Sequence, residues 1–186
     1  MPRVPGTKDV ILQPFWDSVG VTSSTTTVTL FQQPKGQGST VWGGTGAKIL
    51  EDTNMQLAGQ FGSGWQFTCY TVQFQPGPAC TVANAKILLA GGTLEFVVGA
   101  KTYLELPLIF ATAGAGLSGF ATSTTTDVVT NGHPGAKDVF GLGELPISVM
   151  ENENFSIRLT WGTLSGLSGT VPVRVLLNGQ LARGVQ

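Results

Sequence analysis

The stretch Lys86–Ala111, KILLAGGTLEFVVGAKTYLELPLIFA, decides the fold that this sequence predicts. Apolar side chains occupy every second position in two runs of it, Leu94–Val98 and Leu104–Phe110. A period of two is typical of a strand with one buried face, whereas a helix repeats every ~3.6 residues. Gly91-Gly92 and Gly99-Ala100 suit tight turns, because glycine adopts positive φ without steric cost. The stretch therefore predicts three consecutive antiparallel strands.

The rest of the chain must supply a second sheet, because this meander cannot bury its own apolar face. Its first strand is Ile87–Ala90, and Pro107 in its third strand predicts an edge or a bulge, since proline donates no ladder hydrogen bond. A change of buried face between Cys69 and Tyr70 predicts a bulge in the strand that contains them. The further strand-like runs are Val19–Phe31, Trp65–Phe74, Leu145–Met150, Phe155–Trp161 and Val171–Leu177.

About eight strands with little or no helix predict an all-β antiparallel sandwich or barrel. The one segment where a short helix is plausible is 47–61, and we expect Asn178-Gly179 to turn the chain into a short tail. Residues 1–18 contain three prolines and a small apolar cluster. We interpret them as an extended arm that docks on its own domain or on a neighbour. Residues 19–186 then form a single domain, a length that one β-sandwich often uses.

Charge is scarce in this chain. Lys, Arg, Asp and Glu make up 11% of the residues, against a usual share of about 25%, and the net charge is −1. A protein that holds a phosphate backbone needs a basic surface, so nucleic acid is not expected as the main ligand. So few charges also suit a soluble monomer poorly. We infer that neighbouring subunits cover much of the surface; the alternative is a surface solvated by Thr, Ser, Gln and Asn.

We recognise no catalytic or cofactor-binding motif and predict no enzyme activity, no cofactor and no metal. The single histidine, His133, lies in a Gly-rich loop, and no serine has a nucleophile-elbow context. Gly114–Gly119 matches a dinucleotide-binding pattern, but TSTTTD follows where that fold needs a helix. Cys69 and Cys80 would not face each other across a hairpin closed at Gln75–Pro78, which favours free thiols over a disulfide.

Self-association is the use that such a surface suggests, and we expect its contacts in three places. The arm offers five apolar side chains: Val10, Ile11, Leu12, Phe15 and Trp16. Trp42 lies in a Gly-rich loop and is the most credible exposed aromatic residue. The third place is the Gly/Thr segment 112–143, which contains Phe120 and His133, since loops of this length usually serve function or interfaces. Deletion of residues 1–16 is then expected to leave a folded protein that fails to assemble.

Three stretches of the chain resemble β-sandwich structural proteins of bacteriophage virions. They are Asp52–Gln60 (DTNMQLAGQ) with the strand Trp65–Phe74 after it, the strand Lys101–Phe110, and Glu144–Val149 (ELPISV) with the turn ENENF after it. The resemblance implies a single jelly roll of two four-stranded sheets that assembles as trimers or pseudo-hexameric units of an icosahedral shell. The protein would then be part of the virion, with itself and other virion proteins as partners. Membrane contact is expected only through an internal virion membrane.

Two alternatives stay open. Tailed phages use similar sandwiches as cement proteins, which decorate a shell instead of forming it. A carbohydrate-binding sandwich, such as a receptor-binding module, would use Trp42 and loop carboxylates. Glycan binding that Trp42→Ala abolishes would favour that module, whereas assembly without a ligand would favour the shell protein.

Overall fold

The computed structural model describes residues 8–42, 44–77, 80–112 and 140–184, which form a two-sheet β-sandwich. Its strands in chain order are β1 (Lys8–Leu12), β2 (Phe15–Val21), β3 (Thr27–Leu30), β4 (Gln66–Pro76), β5 (Gly92–Val98), β6 (Lys101–Pro107), β7 (Ile147–Val149), β8 (Phe155–Trp161) and β9 (Val171–Gly184). An α-helix, α1 (Val82–Ala90), precedes β5, and a 3₁₀ helix (Leu108–Thr112) follows β6. The predicted all-β antiparallel sandwich is confirmed over the described residues.

The strands pair like one long hairpin folded over itself. The first sheet has the order β2-β9-β4-β7, with β1 next to β2 along the same edge of β9, and the second sheet has the order β3-β8-β5-β6. Four antiparallel pairs therefore nest inside one another: β5 with β6, β4 with β7, β3 with β8 and β2 with β9. Pairing of β4 with β9 and of β5 with β8 completes the two sheets.

The core lies between the sheets and is rich in phenylalanine. The Phe15 and Phe61 rings lie 4.7 Å apart, and Phe61 stacks on Phe155 at 5.0 Å. Such pairs stabilise a core beyond the area they bury. Trp161 is also buried, as its phase in β8 predicts, and its indole N–H donates to the Leu88 carbonyl at 2.8 Å. This bond ties α1 to the second sheet.

Three local predictions are confirmed. Val98 pairs with Lys101 across the two-residue turn Gly99-Ala100, and Gly99 has a φ of +59°. Pro107 ends β6, which is an edge strand of the second sheet, so its missing N–H costs no ladder bond. The register of β4 against β9 shifts between Cys69 and Thr71, which is the predicted bulge.

The predicted strand Ile87–Ala90 is wrong, because these residues form the end of α1. A short apolar run can belong to either a strand or a helix, and the helix start decides here. The Thr81 hydroxyl accepts from the Asn84 N–H at 3.2 Å and caps α1. Gly91-Gly92 is consequently a helix-to-strand junction and not a hairpin turn. The meander therefore has two strands, β5 and β6.

Two further predictions are corrected. Segment 47–61 contains turns and no helix, because side chains of the segment bind the backbone of β2 instead of a helical turn. Asn178-Gly179 does not turn the chain: β9 runs on to Gly184, and its second half pairs with β1. This continuous strand is possible because the β4 bulge lies opposite Asn178 and absorbs the change of register.

Residues 8–18 belong to the first sheet of their own chain. β1 and β2 pair with β9 from Lys8↔Gly184 to Val21↔Val171, and the predicted boundary at residue 18 falls inside β2. Deleting residues 1–16 would therefore remove β1 and the buried Phe15 together. The expectation that this deletion leaves the fold intact is withdrawn.

Candidate interaction surface

The outward side of the first sheet carries a patch of uncharged side chains, bordered by Lys8, which points the same way at the start of β1. We define the outer patch as eight side chains that alternate with buried residues of β1, β9, β4 and β7: Val10, Leu12, Gln66, Thr68, Tyr70, Ser148, Gln180 and Ala182. Leu12 is 80% exposed, which is unusual for a leucine on a regular strand. Two hydrogen bonds order the polar part: Tyr70 Oη to Gln180 Oε1 at 3.0 Å, and Thr68 Oγ1 to Ser148 Oγ at 3.3 Å.

The outward side of the second sheet carries charged side chains. Glu95 and Glu105 lie opposite each other on β5 and β6, and Arg158 of β8 pairs with Glu95. These charged groups keep that face hydrated, and covering them would cost desolvation energy. The outer patch itself contains no charged side chain and has Lys8 only at its border, so covering it costs less desolvation energy and it is the better contact surface of the two.

The predicted arm residues divide between two sides of the sheet. Val10 and Leu12 point outward and belong to the outer patch. Phe15, at 4% exposure, is a core residue, so its prediction as an interface residue is wrong. Ile11 is half-buried, points the same way as Phe15 and lines a cavity at the end of the core. The alternation that places these side chains is the ordinary period of a strand.

Trp16 and Trp42 are both half-buried and held by local contacts. The Trp16 indole N–H donates to the Leu50 carbonyl at 3.0 Å. Trp42 lies under the Arg174 guanidinium, whose carbon is 4.8 Å from the ring centre, and an added Cβ on Gly77 would come within 3.0 Å of it. Trp42 is thus not a free stacking platform. The remaining predicted contacts, Phe120 and His133, lie outside the described residues.

A buried ion pair holds the long connection between β3 and β4 against the first sheet. Lys48 Nζ lies 2.6 Å from Asp17 Oδ1, and the two residues are 5% and 1% exposed. The second carboxylate oxygen of Asp17 accepts from the Phe31 N–H at 2.6 Å. Burial raises the pKa of Asp17, and Lys48 and the Phe31 N–H oppose that rise. Sequence reasoning missed this pair, because neither residue lies in a recognisable motif.

A second buried carboxylate, Asp52, organises the same connection. It accepts from the Val41 N–H at 2.8 Å, the Ile49 N–H at 2.9 Å and the Trp42 N–H at 3.2 Å. Burial by itself raises the pKa of Asp52, but these hydrogen bonds outweigh it, and the pKa lies below its ordinary value. The fixed connection covers the β2 edge: Asp17 bridges Thr53, and the Asn54 N–H donates to the Trp16 carbonyl.

Replacing Asp52 with alanine should lower the free energy of unfolding by about 1–3 kcal/mol at neutral pH, because three partly buried N–H groups lose their acceptor. A lowered native pKa means that this stabilisation is complete above the ordinary value of 3.8 and is lost as the pH falls below it. Urea unfolding of both proteins across this range measures the difference. Asp9→Ala, which removes an exposed partner of Arg183, is the control. If the difference in unfolding free energy between the wild-type protein and Asp52→Ala did not change with pH, the ionised Asp52 carboxylate would not be the source of the stabilisation.

Other kinds of site find little support among the described residues. They contain no group of three or more His, Cys, Asp or Glu side chains that could hold a metal ion. No helix among them has both the length and the apolar character needed to cross a membrane. Cys69 and Cys80 are free cysteines, and burial raises the pKa of the Cys69 thiol to about 12, so that this thiol is unreactive at neutral pH.

Comparison with protein-family models, with curated proteins and with solved structures finds no match to this chain.

Proposed function

We propose that this chain is a structural protein of a virus particle, a jelly-roll subunit that assembles with copies of itself into a shell. The observation that carries the proposal is the nested pairing of β2 to β9 across two four-stranded sheets, with β1 as an additional strand. Eight strands folded as one long hairpin and wrapped into two sheets are the arrangement of the jelly roll, a fold of viral capsid domains and also of lectins and cupins. The fold alone does not distinguish a capsid protein from a lectin or a cupin, so the choice among these functions depends on the surface.

The outer patch supports self-assembly over the other uses of the fold. Its eight side chains are uncharged, and two of its apolar members, Val10 and Leu12, are more than half exposed. Covering apolar area contributes about 25 cal/mol per Å² before the costs of association. A contact confined to two such patches buries only uncharged side chains, so identical copies suit each other. The whole chain has few charges, which fits a surface that is mostly covered in the assembled particle.

The test is the mass of the purified native protein by light scattering after gel filtration, with negative-stain images of the same fraction. Trimers, hexamers or shell fragments are expected. A stable monomer of 19.4 kDa at all concentrations would contradict a shell-forming protein. A monomer that binds only to a preformed shell would instead favour the cement protein, the alternative within the same class.

Replacing Leu12 with glutamate should weaken self-association at least about tenfold, because it places a charge at the most exposed apolar side chain of the outer patch. The side chain is exposed and makes no core contact, so the fold should not change. Light scattering over a dilution series measures the effect. Ile109→Glu, at an exposed aliphatic position of the 3₁₀ helix, is the matched control and should assemble normally. Equal behaviour of the two variants would exclude the outer patch as the contact.

A further inference from the structure

A cavity of about 260 Å³ opens at one end of the core, on the opposite side of the first sheet from the outer patch. The inward side chains of β1, β2 and β9 form one wall, and residues 54–62 together with Trp65 form the other. Its volume lies below the roughly 300–1,000 Å³ that drug-sized ligands occupy, so any ligand is small. No residue of the outer patch lies in the lining of this cavity.

The floor of the cavity is apolar and fixed. Phe15 and Phe61 belong to the aromatic cluster of the core, and Phe15 also packs edge-on against Phe67 at 4.9 Å. Ile11, Leu181 and Met55 complete the floor. Phenylalanine rings packed in this way do not rearrange to admit a ligand, and a pocket formed in advance binds at a lower entropic cost.

The rim of the cavity carries amide groups with unused hydrogen-bonding capacity. Gln56 is exposed and makes no side-chain hydrogen bond to any described residue. Gln13 and Gln60, which line the cavity, each donate one hydrogen bond through Nε2, at 3.0 Å and 2.6 Å, and their Oε1 atoms accept none from the described residues. An amide presents donors and an acceptor side by side, which is what a hydroxyl group needs, since it both donates and accepts.

The charges around the cavity narrow the class of ligand. The described lining residues include no Asp, Glu, His or Cys, so the cavity offers no anionic or imidazole ligand for a cation or a metal ion. Its single cation, Arg183, already pairs with Asp9 at 3.3 Å, so the site has little net positive charge to attract a phosphate. What remains is a neutral molecule with one apolar face and several hydroxyl groups.

We propose that this cavity binds a neutral monosaccharide unit, with its apolar ring face toward Ile11 and Trp65, which are partly exposed in the lining, and its hydroxyl groups bonded to Gln56, Gln60 and Arg183. This is a different site from the one that Trp42 would provide. It would give the particle a contact with surface sugars, and it does not depend on how the subunits assemble.

The experiment is saturation-transfer NMR on the full chain, with three methyl glycosides as probes: β-glucoside, β-galactoside and N-acetyl-β-glucosaminide. Saturation transfer to at least one probe is expected, with its apolar ring protons closest to the protein. Gln56→Ala and Arg183→Ala should each weaken that binding about tenfold. Gln56 has no hydrogen bond within the described residues, so its truncation leaves the fold intact.

Gln73→Ala is the matched control, because Gln73 lies on the outward side of β4 opposite Leu176, away from the cavity. It should bind like the wild-type protein. Transfer to none of the three probes, or transfer that Gln56→Ala and Arg183→Ala both leave unchanged, would overturn the proposal. Light scattering on the same samples distinguishes failure of the two proposals. A chain that assembles but binds none of the sugar probes would overturn the sugar site and leave the assembly proposal standing.

Discussion

Replacing Lys48 with methionine should lower the free energy of unfolding by about 3–5 kcal/mol, because it leaves the Asp17 carboxylate buried without its counter-ion. The methionine fills most of the space of the lysine stem, so the loss measures the missing charge and not a cavity. Urea unfolding at neutral pH, with the slope of the transition checked against the wild-type protein, gives the value. A loss below about 1 kcal/mol would mean that water reaches the pair.

The same variant should show a defined dependence on pH. Burial already raises the pKa of Asp17, and loss of Lys48 removes the largest opposing influence. A raised native pKa makes the folded state gain stability as the pH falls toward the ordinary value of 3.8, and lose it as the pH rises. The Lys48→Met variant should therefore recover part of its lost stability in mild acid, relative to the wild-type protein.

Two controls separate the buried charge from other effects. Asp17→Asn combined with Lys48→Met removes both charges and keeps an acceptor for the Phe31 N–H, so it should be more stable than Lys48→Met alone. Arg158→Met breaks the exposed pair with Glu95 and should change stability little, because solvent screens that pair. If the double variant were as unstable as Lys48→Met, the unpaired Asp17 carboxylate would not be the cause of the stability lost in Lys48→Met.

Replacing Gly179 with alanine should destabilise the protein by about 3 kcal/mol or more, because the space for a Cβ does not exist. That atom would lie 2.1 Å from the Thr68 carbonyl oxygen and 2.7 Å from the Phe67 ring. Neither neighbour can move easily, since one is backbone of β4 and the other is a buried core ring. Thermal and urea unfolding measure the loss, and failure to obtain soluble folded protein would agree with it.

The matched control is Gly162→Ala, after the end of β8. A Cβ at Gly162 meets no atom within 4 Å, and the backbone there does not have a positive φ. Its stability should stay within about 0.5 kcal/mol of the wild-type protein. Similar losses at both positions would show that close approach of β9 to β4 is not what Gly179 provides.

The two strands β5 and β6 were predictable because their signals are local: alternation on both sides of a two-residue turn at Gly99-Ala100. The helix α1 was missed because Ile87–Ala90 taken alone has no period, and the deciding cap, Thr81, lies outside that run. The nested pairing of distant strands was not predictable from the residues themselves, since β2 and β9 lie at opposite ends of the chain. Only the resemblance to virion proteins implied a jelly roll of two four-stranded sheets, and it gave no order of strands.

Part of the candidate interaction surface could have been found by the same alternation. From Val10 to Trp16 the even positions point outward and the odd positions point inward, without interruption at Pro14. Treating the segment as an arm hid this period and put Phe15 with the surface residues. Asp17 and Asp52 are a different case. Their partners lie 31 residues away or on the backbone of a loop, so no spacing in the sequence marks these carboxylates as buried.

The position of β9 has a consequence for how the protein is made. β9 completes the first sheet by pairing with β1, β2 and β4, yet it is synthesised after all of them. At about 5–20 residues per second, Val21 leaves the ribosome on the order of ten seconds or more before Val171 does. Through that interval the one edge of β2 and the one edge of β4 that will pair with β9 have no partner from their own chain and can pair with other chains. Nascent chains on one polysome are therefore most exposed to mispairing before their last strand emerges, and a high local concentration of new chains would increase aggregation.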